Sequence, residues 1–190
     1  MIRSPYGTWR SPITAAALAR SAIALDYIQV ERGVPSWVES RPAEGGRRVI
    51  VTPAADGSVV ERTPAGFNAR TRVHEYGGRP YCLAGDRIYF THFADQRLYA
   101  CEVTDAGAPA RAPVALTPEG YRYADFHFDR GRGALLCVRE DHTGSGEARN
   151  TLAVIDVSRA AGALKAGRES AGRVLFDASD FVAYPRVSPD

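Results

Sequence analysis

Short β-rich runs, grouped in fours and repeated along the chain, constrain its fold more than any other feature. The first set is Asp26–Val30, Val34–Ser40, Arg47–Val51 and Ser58–Arg62, broken by Arg32-Gly33, Glu44-Gly45-Gly46 and Asp56-Gly57. Asp-Gly marks a hairpin because it supplies the positive φ angles of a tight turn. The second set is Pro80–Ala84, Arg87–Thr91, Arg97–Val103 and Pro113–Thr117, with turns at Gly85-Asp86 and Ala94-Asp95-Gln96. The third is Tyr123–Asp129, Ala134–Arg139, Thr151–Val157 and Arg173–Phe176, and Phe181–Val187 is expected to open a fourth.

The sets are related to one another. Arg62-Thr63-Pro64 and Leu116-Thr117-Pro118 close successive units, at a spacing of roughly fifty to sixty residues that lies near the kelch repeat length. Tyr123–Asp129 and Val182–Ser188 each open a unit and run into a turn, Arg130-Gly131 and Pro189-Asp190. Four short strands per repeated unit predict an all-β fold, a partial β-propeller of about three four-stranded blades plus the first strand of a fourth. A β-sandwich competes, being built of similar strands, but the matching turn positions favour the propeller. Three blades and an opening strand cannot close a ring of at least about four blades. An exposed blade face, an unpaired edge and aggregation are therefore expected of the chain alone. Ser188-Pro189-Asp190 reads as a strand entering an unfinished turn, so the chain is expected to be the front piece of a larger protein.

Composition narrows the function. A chain of 190 residues with 45% hydrophobic and 24% charged residues carries enough apolar sequence for a folded domain. The net charge of +2, with Lys165 the only lysine and no basic run, excludes a nucleic-acid-binding stripe. No apolar run approaches the ~18 residues needed to cross a membrane. Cys82, Cys101 and Cys137 are scattered through apolar segments and fit buried, reduced thiols of a cytoplasmic protein. Residues 1–25 form an N-terminal extension in which Pro12 and the alanines after it predict a short helix rather than a secretion signal, since Arg20 interrupts the apolar run. Residues 26–190 form the incomplete propeller.

Four segments carry a family resemblance: Tyr6-Gly7-Thr8-Trp9-Arg10-Ser11-Pro12-Ile13-Thr14, Arg72-Val73-His74-Glu75-Tyr76-Gly77-Gly78, Phe93–Tyr99 and Arg139-Glu140-Asp141-His142. In this order and spacing the chain resembles the N-terminal propeller of bacterial prolyl oligopeptidase-family serine peptidases, of the acylaminoacyl-peptidase or dipeptidyl-aminopeptidase-like kind. The resemblance runs from Tyr6 to Asp190. It implies a covalently linked C-terminal α/β-hydrolase domain with a Ser-Asp-His triad, hydrolysis of peptide or acyl-peptide bonds, and a propeller that gates access to the active site. It implies no cofactor and no metal. The nucleophile elbow Gly-x-Ser-x-Gly is not present, and Gly144-Ser145-Gly146 has the wrong spacing. No catalytic residue is assigned in this chain.

Arg72, His74, Glu75 and Tyr76 are the candidate substrate-contact or domain-interface residues. A carboxylate at Glu75 in a dry cleft would attract a peptide amine. The plainer reading is a loop anchored by hydrogen bonds, with Gly77-Gly78 permitting a tight turn, and we favour it. Arg139–His142 reads as a salt-bridged strand end rather than a metal site, because three consecutive residues rarely converge on one ion. Arg70 and Arg72 alternate with Ala69 and Thr71 and are expected on one exposed face. His92 and His127 are expected to be packed or on a solvated face, Tyr121 and Tyr123 to pack between blades, and Trp9 and Trp37 to anchor the core. Thr143–Asn150 and Arg159–Gly172 read as exposed insertions. The competing functions are a non-enzymatic propeller that binds a protein partner, and a lactonase-type propeller, which would need acidic metal ligands in its channel. Fold alone does not choose among them.

Overall fold

The turn chemistry dictates the first level of structure. In a computed structural model that describes residues 3–8, 10–20, 22–103, 112–157 and 169–188, Arg32 and Gly33 take φ of 51° and 81° and join β1 (Ala24–Glu31) to β2 (Val34–Arg41) as a two-residue hairpin. β3 (Arg47–Pro53) and β4 (Val59–Glu61) follow. Their Asp56-Gly57 turn is wider than a two-residue hairpin: Ala54 N donates to Ser58 O, and Asp56 Oδ1 accepts from Ser58 N at 2.9 Å. The second sheet holds β5 (Tyr81–Ala84), β6 (Arg87–Thr91), β7 (Leu98–Glu102) and β8 (Val114–Ala115). The third holds β9 (Tyr121–Asp129), β10 (Ala134–Asp141), β11 (Arg149–Asp156) and β12 (Arg173–Phe176). Each sheet is a four-stranded antiparallel meander in sequence order, as the three strand sets require.

The sheets are blades of a propeller. Their first strands meet, β1 against β5 and β5 against β9, so the blades fan out from those strands. The core lies between blades. One cluster joins Val38 and Ile50 of the first blade to Tyr81, Ile88, Phe90 and Cys101 of the second. Another joins Cys82, Tyr89, Leu98 and Ala100 to Tyr123, Phe126, Leu135, Cys137 and Ile155 of the third. Polar contacts stitch the same faces: Tyr81 Oη donates to Tyr27 O at 3.0 Å, and Thr91 Oγ1 donates to Tyr123 O at 2.9 Å. The outer faces of the end blades stay open, with Leu25, Ile28 and Val30 of β1 and Val174, Leu175 and Phe176 of β12 exposed.

The Thr-Pro repeat is a structural device. Thr63 Oγ1 accepts from Ile50 N at 2.7 Å in the first blade, and Thr117 Oγ1 accepts from Leu98 N at 2.9 Å in the second. Both threonines are buried. Each closes its blade where the outer strand ends, and the backbone N–H before it donates back to the same residue, Arg62 to Ile50 O and Leu116 to Leu98 O.

Three details differ from the sequence-based expectation, and some expected features fall outside the described residues. The helix, α1 (Ala15–Arg20), starts three residues after Pro12, because Thr14 caps it through Oγ1 and the Ala17 N–H at 3.0 Å. Phe181–Val187 belongs to no strand; a ladder defines a strand, and none of the described segments pairs with it. Trp37 is half-buried on β2, outside the core clusters. Trp9, most of the Arg159–Gly172 tract, and the turn residues Pro189 and Asp190 lie outside the described residues. Among the described residues no helix is long and apolar enough to cross a membrane.

All three cysteines are buried free thiols. Desolvation pushes Cys82 up to about 11 and Cys101 and Cys137 up to about 12. An unfolded thiol ionises near ~8.5, so above that pH the unfolded chain releases protons that the folded chain keeps. Stability therefore falls as pH rises above ~8.5, by up to about 1.4 kcal/mol per pH unit for each thiol. Urea midpoints measured between pH 8 and 10 will show this fall, and Cys101→Ala will reduce its slope, with Cys82 and Cys137 carrying the remainder; a flat profile in the unsubstituted chain would show that the thiols are not sequestered. Separately, Thr117→Val keeps the shape of the side chain but orphans the buried Leu98 N–H. It should cost about 1–3 kcal/mol in urea unfolding, with Thr117→Ser recovering most of the loss.

Candidate functional site

The segment 72–78 connects β4 to β5, and its backbone is bent by three left-handed residues, His74, Glu75 and Gly77, at φ of 53°, 63° and 91°. Positive φ at two residues that carry side chains is unfavourable and persists only when the surroundings hold it. The holding groups are visible. Val73 is buried against Ala124 and Val138 of the third blade. Glu75 N donates to Arg72 O at 2.9 Å and Gly77 N to Val73 O at 2.8 Å. Arg72 N donates to Gln96 Oε1 at 2.7 Å, which ties the loop to the β6–β7 turn.

Glu140, buried at the end of β10, provides the long-range anchor. Its Oε1 accepts from His74 N at 2.5 Å, and its Oε2 lies 2.9 Å from His142 Nε2. His142 N in turn donates to Gly120 O at 2.9 Å. Arg122, on β9, closes the arrangement: one Nη1 donates to Arg72 O at 2.8 Å and to Glu75 Oε1 at 2.6 Å, and it lies 3.8 Å from Glu140 Oε2. The two glycines serve different ends. A Cβ on Gly77 would sit 3.0 Å from Thr71 O, and one on Gly78 would sit 3.0 Å from Ala124 Cβ and 3.1 Å from Asp125 Oδ1. Gly77 supplies the left-handed turn and Gly78 allows the loop to lie close to β9.

The structure thus brings Arg72, His74, Glu75 and Tyr76 together on one loop and adds Arg122, Glu140 and His142 to them. Glu75 is exposed, and its carboxylate is shared between Arg122 and, at 3.5 Å, Arg72. The Arg122 hydrogen bond, then its charge, hold that carboxyl below the usual range. A carboxylate so neutralised offers little field to a peptide amine, which supports the anchoring role over amine capture. The His74 ring packs edge-on at 5.2 Å from Phe181, and its Nε2 is buried without a hydrogen-bond partner among the described residues. Tyr76 is 82% exposed at the loop tip, the most outward group of the four.

Arg122 was not singled out from the sequence; its only signal was a basic residue between Tyr121 and Tyr123 at the start of a unit. Other expectations resolve plainly. Ala69 and Thr71 are buried while Arg70 and Arg72 are exposed, as alternation requires. His92 packs against Phe67 at 4.7 Å, and its Nδ1 accepts from Asn68 N. Tyr123 is buried between the second and third blades. Arg139 lies over the Tyr121 ring at 5.2 Å, and Asp141 Oδ1 accepts from Thr143 N at 3.0 Å, so this strand end is a mesh of local bonds. Among the described residues no cluster of three or more His, Cys, Asp or Glu groups could hold a metal.

No family model and no curated protein matches the chain. Solved structures do. A puromycin-hydrolysing peptidase of Mycobacterium tuberculosis matches at 32% identity and a TM-score of 0.81, over 98% of this chain and 29% of that one. A puromycin hydrolase matches at 39% identity and a TM-score of 0.79, over 98% and 29%. A mutant of puromycin hydrolase complexed with PGG matches at 38% identity and a TM-score of 0.76, over 94% and 28%. The chain spans less than a third of the length of each.

Gly77→Ala tests the loop geometry. It forces a Cβ onto the Thr71 carbonyl at an unfavourable φ and should cost about 1–3 kcal/mol in chemical denaturation. Loss of less than half a kcal/mol would mean that the loop relaxes freely and is not held by its anchors.

Proposed function

We propose, from a chain that resembles the propeller portion of prolyl oligopeptidase-family serine peptidases over nearly its whole length, that the parent protein hydrolyses peptide or acyl-peptide bonds. The observation that carries this is the joint likeness in sequence and backbone, 32–39% identity at TM-scores of 0.76–0.81, to peptidases whose chains extend well beyond the matched part. In this reading residues 26–190 belong to a propeller, 1–25 precede it, and an α/β-hydrolase domain follows in the same polypeptide. The chemistry lies in that domain: a serine attacks the carbonyl, a histidine carries the proton, and an aspartate orients the imidazole. The propeller gates the substrate, admitting peptides and excluding folded proteins, and the enzyme acts in the cytoplasm.

The 72–78 loop is the part of this chain we place at the substrate or at the hydrolase domain. Its backbone is held rigidly by Glu140 and Arg122, and the Tyr76 ring points outward from it. Rigid presentation of one exposed aromatic suits a contact surface, since little conformational entropy is lost when it docks. Arg72, His74 and Glu75 support that presentation.

The intact mass of the native gene product, together with labelling by a fluorophosphonate probe, tests the proposal. A product several times heavier than 20.6 kDa that labels, and that releases the amino acid from puromycin or an aminoacyl amide, is the expected result. A stable 20.6 kDa product that never labels would overturn it in favour of a protein-binding propeller. In the full-length enzyme, Tyr76→Ala should lower kcat/KM several-fold without moving the urea midpoint. An unchanged kcat/KM would leave the loop a purely structural role.

A further inference from the structure

A strip of aromatic rings leads from the 72–78 loop into a cleft that the anchoring of the loop does not explain. The His74 ring stands 5.8 Å from the Tyr76 ring on one side and 5.2 Å from the Phe181 ring on the other. Phe181 is 67% exposed, so both ends of the strip face outward. Contiguous exposed apolar surface of this kind marks contact sites. Phe181 is also held in place: Val182 beside it packs against Val73, Ala124 and Val138, and Ser179 Oγ donates to Phe181 O at 3.1 Å.

Phe181 forms one wall of a cleft of about 460 Å³, at the end of the third blade where β11 begins and β12 ends. Glu147, Arg149, Asn150, Asp177 and Asp180 form the other walls. Asn150 stands opposite Glu140 in the β10–β11 ladder, so the cleft opens one strand away from the carboxylate that anchors His74. Its charges do not cancel. Arg149 Nη2 donates to Asp177 Oδ2 at 3.2 Å, but among the described residues Glu147 and Asp180 have no cation within ion-pair distance. Two carboxylates are therefore left in excess beside an aromatic wall. The acidic groups of the lining form no cluster that could hold a metal ion, so the cleft suits a broader organic cation.

We propose that this cleft binds the basic side chain of a peptide, arginine above all. Glu147 and Asp180 accept from the guanidinium, and Phe181 lies against its plane. A guanidinium is planar and weakly hydrated, so it stacks on a ring face while its edge donates to carboxylates. The three-carbon stem of the side chain covers part of the exposed ring, which an inorganic cation cannot do. That the cation belongs to a peptide rests on the peptidase reading; that it is a cation rests on the cleft alone. Phe181 is then a residue that determines specificity, and the His74 and Tyr76 rings extend its surface toward the loop.

The test uses the full-length native gene product, treated with fluorophosphonate so that no peptide is turned over. Calorimetry compares N-acetyl-alanyl-arginyl-alanine amide with the same peptide carrying citrulline, which keeps the shape of the arginine side chain and loses its charge. The arginine peptide should bind at least about tenfold more tightly, a margin that a charge-assisted contact with a stacked ring supplies. Glu147→Gln combined with Asp180→Asn should abolish the margin without moving the thermal midpoint, since both side chains are exposed. Phe181→Ala should weaken the arginine peptide several-fold. No binding of the arginine peptide, equal binding of the two peptides, or a margin that survives the double substitution would overturn the site. Both peptide ends are blocked and hydrolysis is not read, and a product that never labels can be titrated in the same way. Failure here is therefore separate from failure of the active-serine test.

Discussion

A four-stranded meander cannot bury both of its faces by itself, and everything else in this structure follows from that constraint. Each blade solves it by lending a face to the next. The largest fully buried side chains, Tyr81, Tyr123, Phe90 and Phe126, all lie in the two clusters between blades. Each such side chain contributes about 1.5–3 kcal/mol on leaving water, so the junctions between sheets carry the apolar stabilisation. The logic is that of repeat proteins, in which units stabilise their neighbours and the terminal faces are left in need of cover. The exposed aliphatic residues of β1 and β12 are those faces.

Packing blades this way needs first strands that can approach one another, and the backbone supplies them with a recurring irregularity. In β1, Tyr27 and Ile28 stand opposite the single residue Trp37; in β9, Asp125 and Phe126 stand opposite Cys137. Each is a bulge whose first residue is left-handed, Tyr27 at 55° and Asp125 at 58°, and Tyr184 repeats the conformation at 47° in the segment that follows β12. A bulge bends and twists a strand. At Asp125 the exposed backbone groups and the carboxyl group are then used to bond the neighbouring segments, so the irregularity becomes the joint between repeats. Gly78 is part of the same joint, because only a residue without Cβ fits against Ala124 and Asp125.

These facts divide cleanly by range. Strand runs and turns were legible because they depend on neighbours in sequence: Arg32-Gly33 takes two positive φ angles, and Thr63 and Thr117, both before proline, cap equivalent strands. The Thr14 cap is equally local, a hydroxyl three residues before the N–H that it accepts from. What could not be read is what crosses between blades. Glu140 reaches His74 across 66 positions and Arg122 reaches Arg72 across 50. Nothing in the pattern around Arg122 marks it as the group that neutralises Glu75. The bulges were hidden for another reason, since a residue count of two against one is visible only once the register of both strands is known. Phe181–Val187 shows the opposite failure: its residues alternate like a strand, but a strand exists only with a partner.

Two polar clusters, one at the 72–78 loop and one at Asp125, are built differently. Around the 72–78 loop every charge is answered: Glu75 by Arg122 and Arg72, Glu140 by His142 and the His74 N–H. Such a network costs desolvation that its hydrogen bonds return, and what it yields is a fixed loop shape rather than a field. On the proposed reading, any contact made there depends on that shape and on the Tyr76 ring it presents. Around Asp125 the carboxyl group bonds backbone N–H groups, and the Arg79 and Arg186 guanidinium groups donate to backbone carbonyls, those of Phe126 and Pro185. Charge pairing thus sets the course of the 72–78 loop, whereas backbone bonding to a single carboxyl group sets the joint between repeats.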